Sequence, residues 1–461
     1  MDDDLPRNVH LVGVCGAGMK ALAEILLSRG YSVSGSDLSP PNSAVRKQIE
    51  QGLIFYQGHQ SAQVGDTVGL LIFSAAIPTT NPERAAATAR HLPQLSYSQM
   101  VARLMRPFGG VCISGTHGKS TTTAMTASIL HAAGHIAGAV CGAELCVDGR
   151  SSWVGDGDLF VAESCEFQRS FLDFTPQYAA ILSIEPDHFD CYADLPALCS
   201  AFREFADRVS PDGLLLVNDD CETSRSILNL STTQARRSSF GFSGTAVWSA
   251  TEIDFSPTGT SFTLRHHGQA VVAIKLRLQG QHNVSNALAA AALCAEIGIS
   301  LETIQHTLAD FRGIRRRFEL ISDIGDVTII DDYAHHPTAV RATLTAVRRL
   351  CGDRKIFCVF QPHQIRRTIT LMDDFSESFR DVDQVLIAPV FAAREDASDE
   401  PRRVAELLAD RIRTKSVKAR AFASLDQIVT TLDDEVCPGD VIVTMGAGDI
   451  DRIHHELTRR V

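Results

Sequence analysis

A chain of 461 residues is too long for one ordinary hydrophobic core, which predicts two or three domains. A hydrophobic content of 44% with 21% charged residues excludes a disordered chain, and a formal net charge of −12 excludes nucleic acid as the main partner. The opening "MDDDLPRNVH" lacks the basic stretch and apolar run of a secretory leader, and no apolar run is long enough to span a bilayer. The twelve cysteines include no C-x-x-C pair and read as small buried residues, so the expectation is a cytoplasmic protein without membrane insertion.

In chain order, "NVHLVGVCGAGMKALAEILLSRG" reads as strand, glycine turn and helix, and "YSVSGSD" as a strand ending at Asp37. "VGLLIFSAAI" is a later strand ending in Ser74 and Ala75, which completes the pattern of a parallel, doubly wound sheet. "RPFGG" around Pro107 reads as a linker. A second unit then begins with strand "GVCIS", a loop and the helix "STTTAMTASILHAAG", followed by strands "DLFVAES", "AAILSI" and "GLLLVN". From about Phe240 to Leu278 the alternation is that of antiparallel strands, and a helix begins near Asn283. After "FRGIRRRFE" come "DVTIID", "KIFCVF", "QVLIAPV", "DVIVTM" and "GAGD", a third α/β unit. The predicted division is 1–107, 108–313 and 314–461.

"SGTHGKSTTT" carries the clearest chemistry. The common phosphate loop, G-x-x-x-x-G-K-[ST], would need glycine where Ile113 stands, so this loop is tighter. Gly115 and Gly118 let successive N–H groups converge on phosphate oxygens, and the helix after Lys119 adds its positive end. Lys119 supplies a mobile charge, and Ser120 or Thr121 can ligate Mg²⁺. Glu163, Glu166, Glu185, Asp187, His188 and Asp190 cluster at the ends of the next strands, where acids and a histidine suit divalent cations. Asn283 and Asn286 lie one turn apart, either capping the helix or facing ligand. Asp331, Asp332, His335 and His336 precede Pro337 at another strand end, and His363, Arg366 and Arg367 form a basic cluster suited to carboxylate or phosphate. Arg315 reads as a solvated charge. Cys15 makes "GVCGAG" a poor dinucleotide fingerprint.

Taken in order, "GVCGAGM", "VSGSD", "GTHGKSTTT", "IEPDHFD", "GQHNVSNALAA", "RRRFE", "DDYAHHPT", "FQPHQIRRT" and "GAGD" resemble the Mur ligases of peptidoglycan synthesis over nearly the whole chain. "DDYAHHPT" with "FQPH" resembles the alanine-adding branch. The resemblance implies a Rossmann-like first domain, a central P-loop ATPase-like domain and a Rossmann-like third. It also implies ATP-dependent joining of L-alanine to the lactyl carboxylate of UDP-N-acetylmuramate through an acyl phosphate. Two Mg²⁺ ions, replaceable by Mn²⁺, would assist: one on Ser120 or Thr121 with Glu163, the other on His188.

By the same resemblance Gly115, Thr116, His117, Gly118, Lys119, Ser120 and Thr121 hold ATP phosphates, and Asn283 and Asn286 the adenine. Arg317 and Asp332 reach the nucleotide from the third domain. Tyr333, His335, His363 and Arg367 form the amino-acid pocket, with Arg366 the alternative to Arg367 for a carboxylate. Lys119, Glu163, His188, His335 and Arg367 form the catalytic set. The loop of Gly13, Gly16, Ala17, Gly18 and Met19, with Asp37 and Ser74, takes the UDP part. No lysine lies between His188 and Asp220, so no carbamylated lysine is expected, in keeping with the alanine-adding branch. A monomer or weak homodimer is expected. Three positions depart from the family pattern: Cys15 for glycine, Cys165 for an acid and Phe391 for tyrosine. The rival readings are a ligase that recycles a preformed peptide, a nucleotide sensor without turnover and a dinucleotide-dependent oxidoreductase.

Overall fold

In this computed structural model the described residues, 5–460 apart from 325, 394 and 396–399, build three sheets. The first contains β1 (Asn8–Val12), β2 (Ser32–Asp37), β3 (Ile54–Gln57), β4 (Leu70–Phe73) and β5 (Gln94–Ser96). They pair in parallel in the order β3-β2-β1-β4-β5. Strand order therefore reverses beside β1, where the crevice of such a sheet opens. The Gly13 loop leaves β1 at this point.

The second sheet contains β6 (Gly109–Ser114), β7 (Ile136–Val140), β8 (Ser152–Val154), β9 (Leu159–Glu163), β10 (Tyr178–Ile181) and β11 (Leu214–Asn218). It continues with β12 (Arg236–Gly241), β13 (Trp248–Ser256), β14 (Gly259–His266) and β15 (Gln269–Leu276). The order is β15-β14-β13-β12-β11-β10-β6-β9-β7-β8. The expected antiparallel region is β13 to β15. β6 lies between β10 and β9, parallel to both, and its Val111, Cys112 and Ile113 are fully buried because helices cover both faces. One covering helix, Gln281–Ile297, is apolar nearly all round; the run Ala287–Ala292 is buried and brings it close to the helix Lys119–Ala132.

The third sheet contains β16 (Glu319–Ile324), β17 (Val327–Asp332), β18 (Ile356–Phe360), β19 (Gln384–Ile387), β20 (Lys418–Ala421) and β21 (Val441–Met445). Its order is β16-β17-β21-β18-β19-β20, parallel except for β16. The α/β architecture is the one expected. Among the described residues no helix is long and apolar enough to cross a membrane.

How the units join differs. Val9, Leu22 and Met100 of the first sheet's unit share one core with Cys112, Phe160 and Phe202 of the second. The third unit keeps its own cores, with Phe189 of the second packed at the margin. Across the boundary near the phosphate loop run Arg367 to Asp187, Thr338 to Glu185 and His336 to Pro186 O, polar contacts beside the packed rings of His117 and His336, the kind of seam that can open.

Candidate active site

The loop after β6 is clamped between the carboxyl ends of β10 and β9. Thr116 N donates to Ser183 O at 2.7 Å and His117 N to Ser183 Oγ at 3.1 Å. Glu185 N donates to Thr116 Oγ1 at 3.0 Å. Gly115 and Gly118 take φ of +133° and +81°, a region that side chains disfavour. A Cβ on Gly118 would stand 2.3 Å from Asn286 Oδ1. Gly118→Ala should therefore cost about 1–2 kcal/mol for its backbone alone, plus a displaced Asn286. Denaturant unfolding and ATP titration of that variant check this: both stability and affinity should fall.

Lys119 and Glu166 form a buried ion pair here. Lys119 Nζ donates to both Glu166 carboxylate oxygens at 3.0 Å and to Gly115 O at 2.5 Å. Glu166 is 1% exposed, and His188 Nε2 lies 3.3 Å from its other side. Burial pushes the Glu166 pKa up, but Lys119 and His188 outweigh it and hold the group ionised. Burial opposes charge on His188 too, yet hydrogen bonds to Cys165 and Glu166 and the charge of Asp187 push its pKa up to about 10. His188 also takes a φ of +52°, an uncommon conformation for a non-glycine residue. Ser120 Oγ donates to Glu163 Oε1 at 3.0 Å, while Gly142 N donates to Glu163 Oε2 at 2.8 Å. Of the two hydroxyls left open by the sequence, Ser120 is the one that donates to Glu163; both are buried in the helix.

Across the polar seam stand the groups of the third unit. Arg367 Nε and Nη2 donate to Asp187 Oδ1 at 2.9 and 2.6 Å, and Arg367 Nη1 lies 2.9 Å from His363 Nδ1. The guanidinium is 3% exposed and holds the Asp187 carboxyl far below the usual range, against the effect of burial. His335 Nδ1 lies 2.8 Å from Tyr333 O; its ring packs edge-on against Tyr333 and His363, and His363 stacks on Phe391. Burial, then the charges of Arg367 and His363, keep His335 neutral. Tyr333, His335, His363 and Arg367 are therefore together, whereas Arg366 is exposed with its backbone N–H on Glu395.

The other expected residues of the second and third units are tied to the surrounding chain. Asn283 Nδ2 donates to Gln279 O, Asn286 Nδ2 to Asn283 Oδ1, and Thr122 to Asn286 Oδ1. Asp332 accepts from Phe318 N, Ala334 N and Thr343 Oγ1. Arg317 lies over the Tyr333 ring at 4.9 Å. Its neighbour Arg316 ties "GAGD" down through Gly446 O and Gly448 O. Arg315 is exposed, as read from the sequence, and lies 3.7 Å from Glu144.

In the first unit Asp37 accepts from Cys15 N and Ser39 N, each at 2.9 Å. Gly13 N donates to Ser36 O at 2.8 Å. Gly13 packs on Ser74, and Gly18 leaves room for Tyr97. Gly16 and Ala17 are exposed at the helix start, but the Met19 side chain is in the core.

Three family models cover successive parts of the chain: "Mur ligase family, catalytic domain" at residues 8–109, "Mur ligase middle domain" at 113–294 and "Mur ligase, glutamate ligase domain" at 316–448. The chain belongs to the Mur ligase family. A UDP-N-acetylmuramate–L-alanine ligase of Desulfitobacterium hafniense is 37% identical over 98% of this chain and 100% of its own length. One from Chlorobaculum tepidum is 38% identical over 97% and 94%. Among solved structures, a UDP-N-acetylmuramate–alanine ligase of Thermotoga maritima has a TM-score of 0.83, 24% identity and 98% coverage of both chains. A murein peptide ligase of Psychrobacter arcticus has a TM-score of 0.75 at 25% identity, again covering 98% of both.

Several groups of this Mur ligase had no role assigned from the sequence. Glu166 holds Lys119, Glu185 meets His117 and His336, Asp187 meets Arg367, and a fully buried Glu83 sits under the first loop. Ser36, His59 and His10 surround Glu83, with Ser36 Oγ donating to it at 2.6 Å. Glu166 and the acids in "EPDHFD" carried a signal, through their place at strand ends, but their partners did not; Glu83 carried none.

Proposed function

We infer that this Mur ligase joins L-alanine to the lactyl carboxylate of UDP-N-acetylmuramate, converting ATP to ADP and phosphate in peptidoglycan synthesis. The carrying observation is the full-length similarity to relatives of that name, at 37–38% identity. The loop with Lys119 supports it.

The lactyl carboxylate attacks the γ-phosphorus, ADP leaves, and the alanine amine displaces phosphate from the resulting acyl phosphate. Lys119 exchanges Glu166 for the transferring phosphoryl group, and the loop amides hold the phosphates. Ser120 Oγ and Glu163, an oxygen pair suited to a hard cation, would hold one Mg²⁺ or Mn²⁺, and His188 a second. Such ions screen the repulsion between carboxylate and triphosphate when bound. Because His335 Nδ1 faces the Tyr333 carbonyl, it carries the proton, and Nε2 keeps a lone pair for the incoming ammonium group. Arg367 is the group for the amino-acid carboxylate. The Gly13 loop, Asp37 and Ser74 take the UDP part, and Asn283, Asn286, Arg317 and Asp332 serve the nucleotide. We place the domain limits at 1–107, 108–313 and 314–461, and the enzyme in the cytoplasm as a monomer or weak homodimer.

ADP and phosphate release, measured with Mg²⁺, ATP and UDP-N-acetylmuramate against separate acceptors, tests this. Turnover should require L-alanine, with glycine poorer by no more than about 200-fold, the usual limit for one methyl group. Turnover with a preformed peptide alone would transfer the chain to the recycling reaction. ATP binding without turnover under any acceptor would make it a sensor.

A further inference from the structure

We propose that His117, Glu185 and His336 form a binding site for a divalent cation of the zinc class, which staples the third unit to the phosphate loop. The three ligand atoms come from three places: the loop after β6, the segment after β10 and the turn before the helix Pro337–Cys351. His117 Nε2 lies 3.2 Å from Glu185 Oε2, and His336 Nδ1 lies 3.6 Å from the same oxygen. All three atoms fall within 4.8 Å of one another. Tetrahedral bonds of about 2.0–2.1 Å place neighbouring ligand atoms roughly 3.3 Å apart, so little movement is needed to close on an ion.

The hydrogen bonds of His336 fix which of its nitrogens can ligate. His336 Nε2 lies 3.2 Å from Pro186 O, a group that only accepts, so Nε2 carries the hydrogen. Nδ1 therefore carries the ring's lone pair; it accepts from Thr338 N in a long 3.4 Å bond that an ion would replace, and it lies 3.6 Å from Glu185 Oε2. Burial, then the charge of His117, pushes His336 down to about 4, so the ring is the neutral, ligating form at pH 7. Glu185 is ionised at that pH: burial raises its pKa, but its bonds from His117 and Thr338 bring it down to about 2. His117 Nε2 lies 3.2 Å from Glu185 Oε2 and would release its hydrogen to solvent as an ion binds, so that two imidazole nitrogens and a carboxylate oxygen meet the cation. Two imidazoles and one carboxylate suit Zn²⁺, Co²⁺ or Ni²⁺ better than Mg²⁺, which prefers oxygen donors. Occupancy would favour the closed arrangement and slow its opening.

The test is calorimetric titration of the nucleotide-free full chain with Zn²⁺, paired with Co²⁺ absorption spectra, on wild type, His336→Asn, Glu185→Gln and Cys165→Ser. It reads binding without turnover, so its result is independent of the ligase reading. Asparagine retains the N-cap that His336 provides, and Glu185→Gln gives a second route if the first variant folds poorly. The expected result is one saturable site weakened about tenfold or more in both variants and unaffected by Cys165→Ser, with no thiolate-to-cobalt band. Loss of binding in Cys165→Ser would place the ion on the neighbouring Cys165, Glu166 and His188 group and overturn the proposal. Binding indifferent to His336→Asn, or no saturable site, would overturn it too.

Discussion

Lys119→Met should lower kcat by at least about 10³-fold, because it removes the cation that meets the phosphoryl group where charge moves. It should also destabilise the protein, since Glu166 would keep its burial and lose the partner that touches both its oxygens. Breaking a buried pair costs about 3–5 kcal/mol, and the value here belongs at the low end because His188 remains 3.3 Å away. The two effects separate in the double variant Lys119→Met with Glu166→Gln. That protein leaves no ionised carboxylate behind, so denaturant unfolding should return most of the lost stability while activity stays absent. If activity returned with stability, Lys119 would be a structural partner of Glu166 and its assigned role in phosphoryl transfer would fail.

The same ion pair implies a coupling between ATP and local structure. Lys119 cannot satisfy Glu166 and the triphosphate equally, so nucleotide binding must loosen the Glu166 contact or share it. His188 and Tyr192, whose hydroxyl donates to Glu166 O at 2.6 Å, keep this segment in place while that happens. An acid at the position of Cys165 would add charge to the same cavity. Cysteine leaves Glu166 as its buried carboxylate, which fits a lysine that is already paired before ATP arrives.

The legible parts of the fold were those where chemistry and periodicity agree. β6 with its loop could be read because an apolar run, two glycines and G-K-S follow one another, and β13 to β15 because their alternation is long. β3 ("IFYQ"), β5 ("QLS") and β20 ("KARA") were not identified: all three are short, and the last two have too few apolar residues to make a run. The site divides along the same line. Glu163 and His188 follow from the rule that ligands gather at strand ends, as does the histidine and arginine group of the third unit. Its pairings do not follow, because Asp187 and Arg367 are 180 residues apart and Pro186 and His336 are 150. No local pattern reports a contact across a seam between units. Asn286 illustrates a second limit: its spacing from Asn283 does not report that its carbonyl meets Thr122 and the space beside Gly118.

Asp187→Ala should cost closure rather than folding. Arg367 is 3% exposed in the closed arrangement and makes two of its bonds to Asp187 Oδ1. Without that carboxylate the buried guanidinium loses about 3–5 kcal/mol of compensation, and the seam can open to hydrate it. The third unit has cores of its own, so its unfolding midpoint should change little. A loss of about 3 kcal/mol in closure corresponds to more than a hundredfold in the closed-to-open ratio, and kcat should fall by up to that factor if closure precedes chemistry. Arg367→Ala should match this loss and add one that Asp187→Ala lacks: a raised KM for L-alanine, because Arg367 is also the group assigned to the amino-acid carboxylate. In a double-mutant cycle the two substitutions should couple by at least about 2 kcal/mol in kcat/KM, since each removes the same contact. Additive losses would mean that the pair does not hold the seam. An unchanged alanine KM in Arg367→Ala would confine Arg367 to the latch and pass the carboxylate to the exposed Arg366.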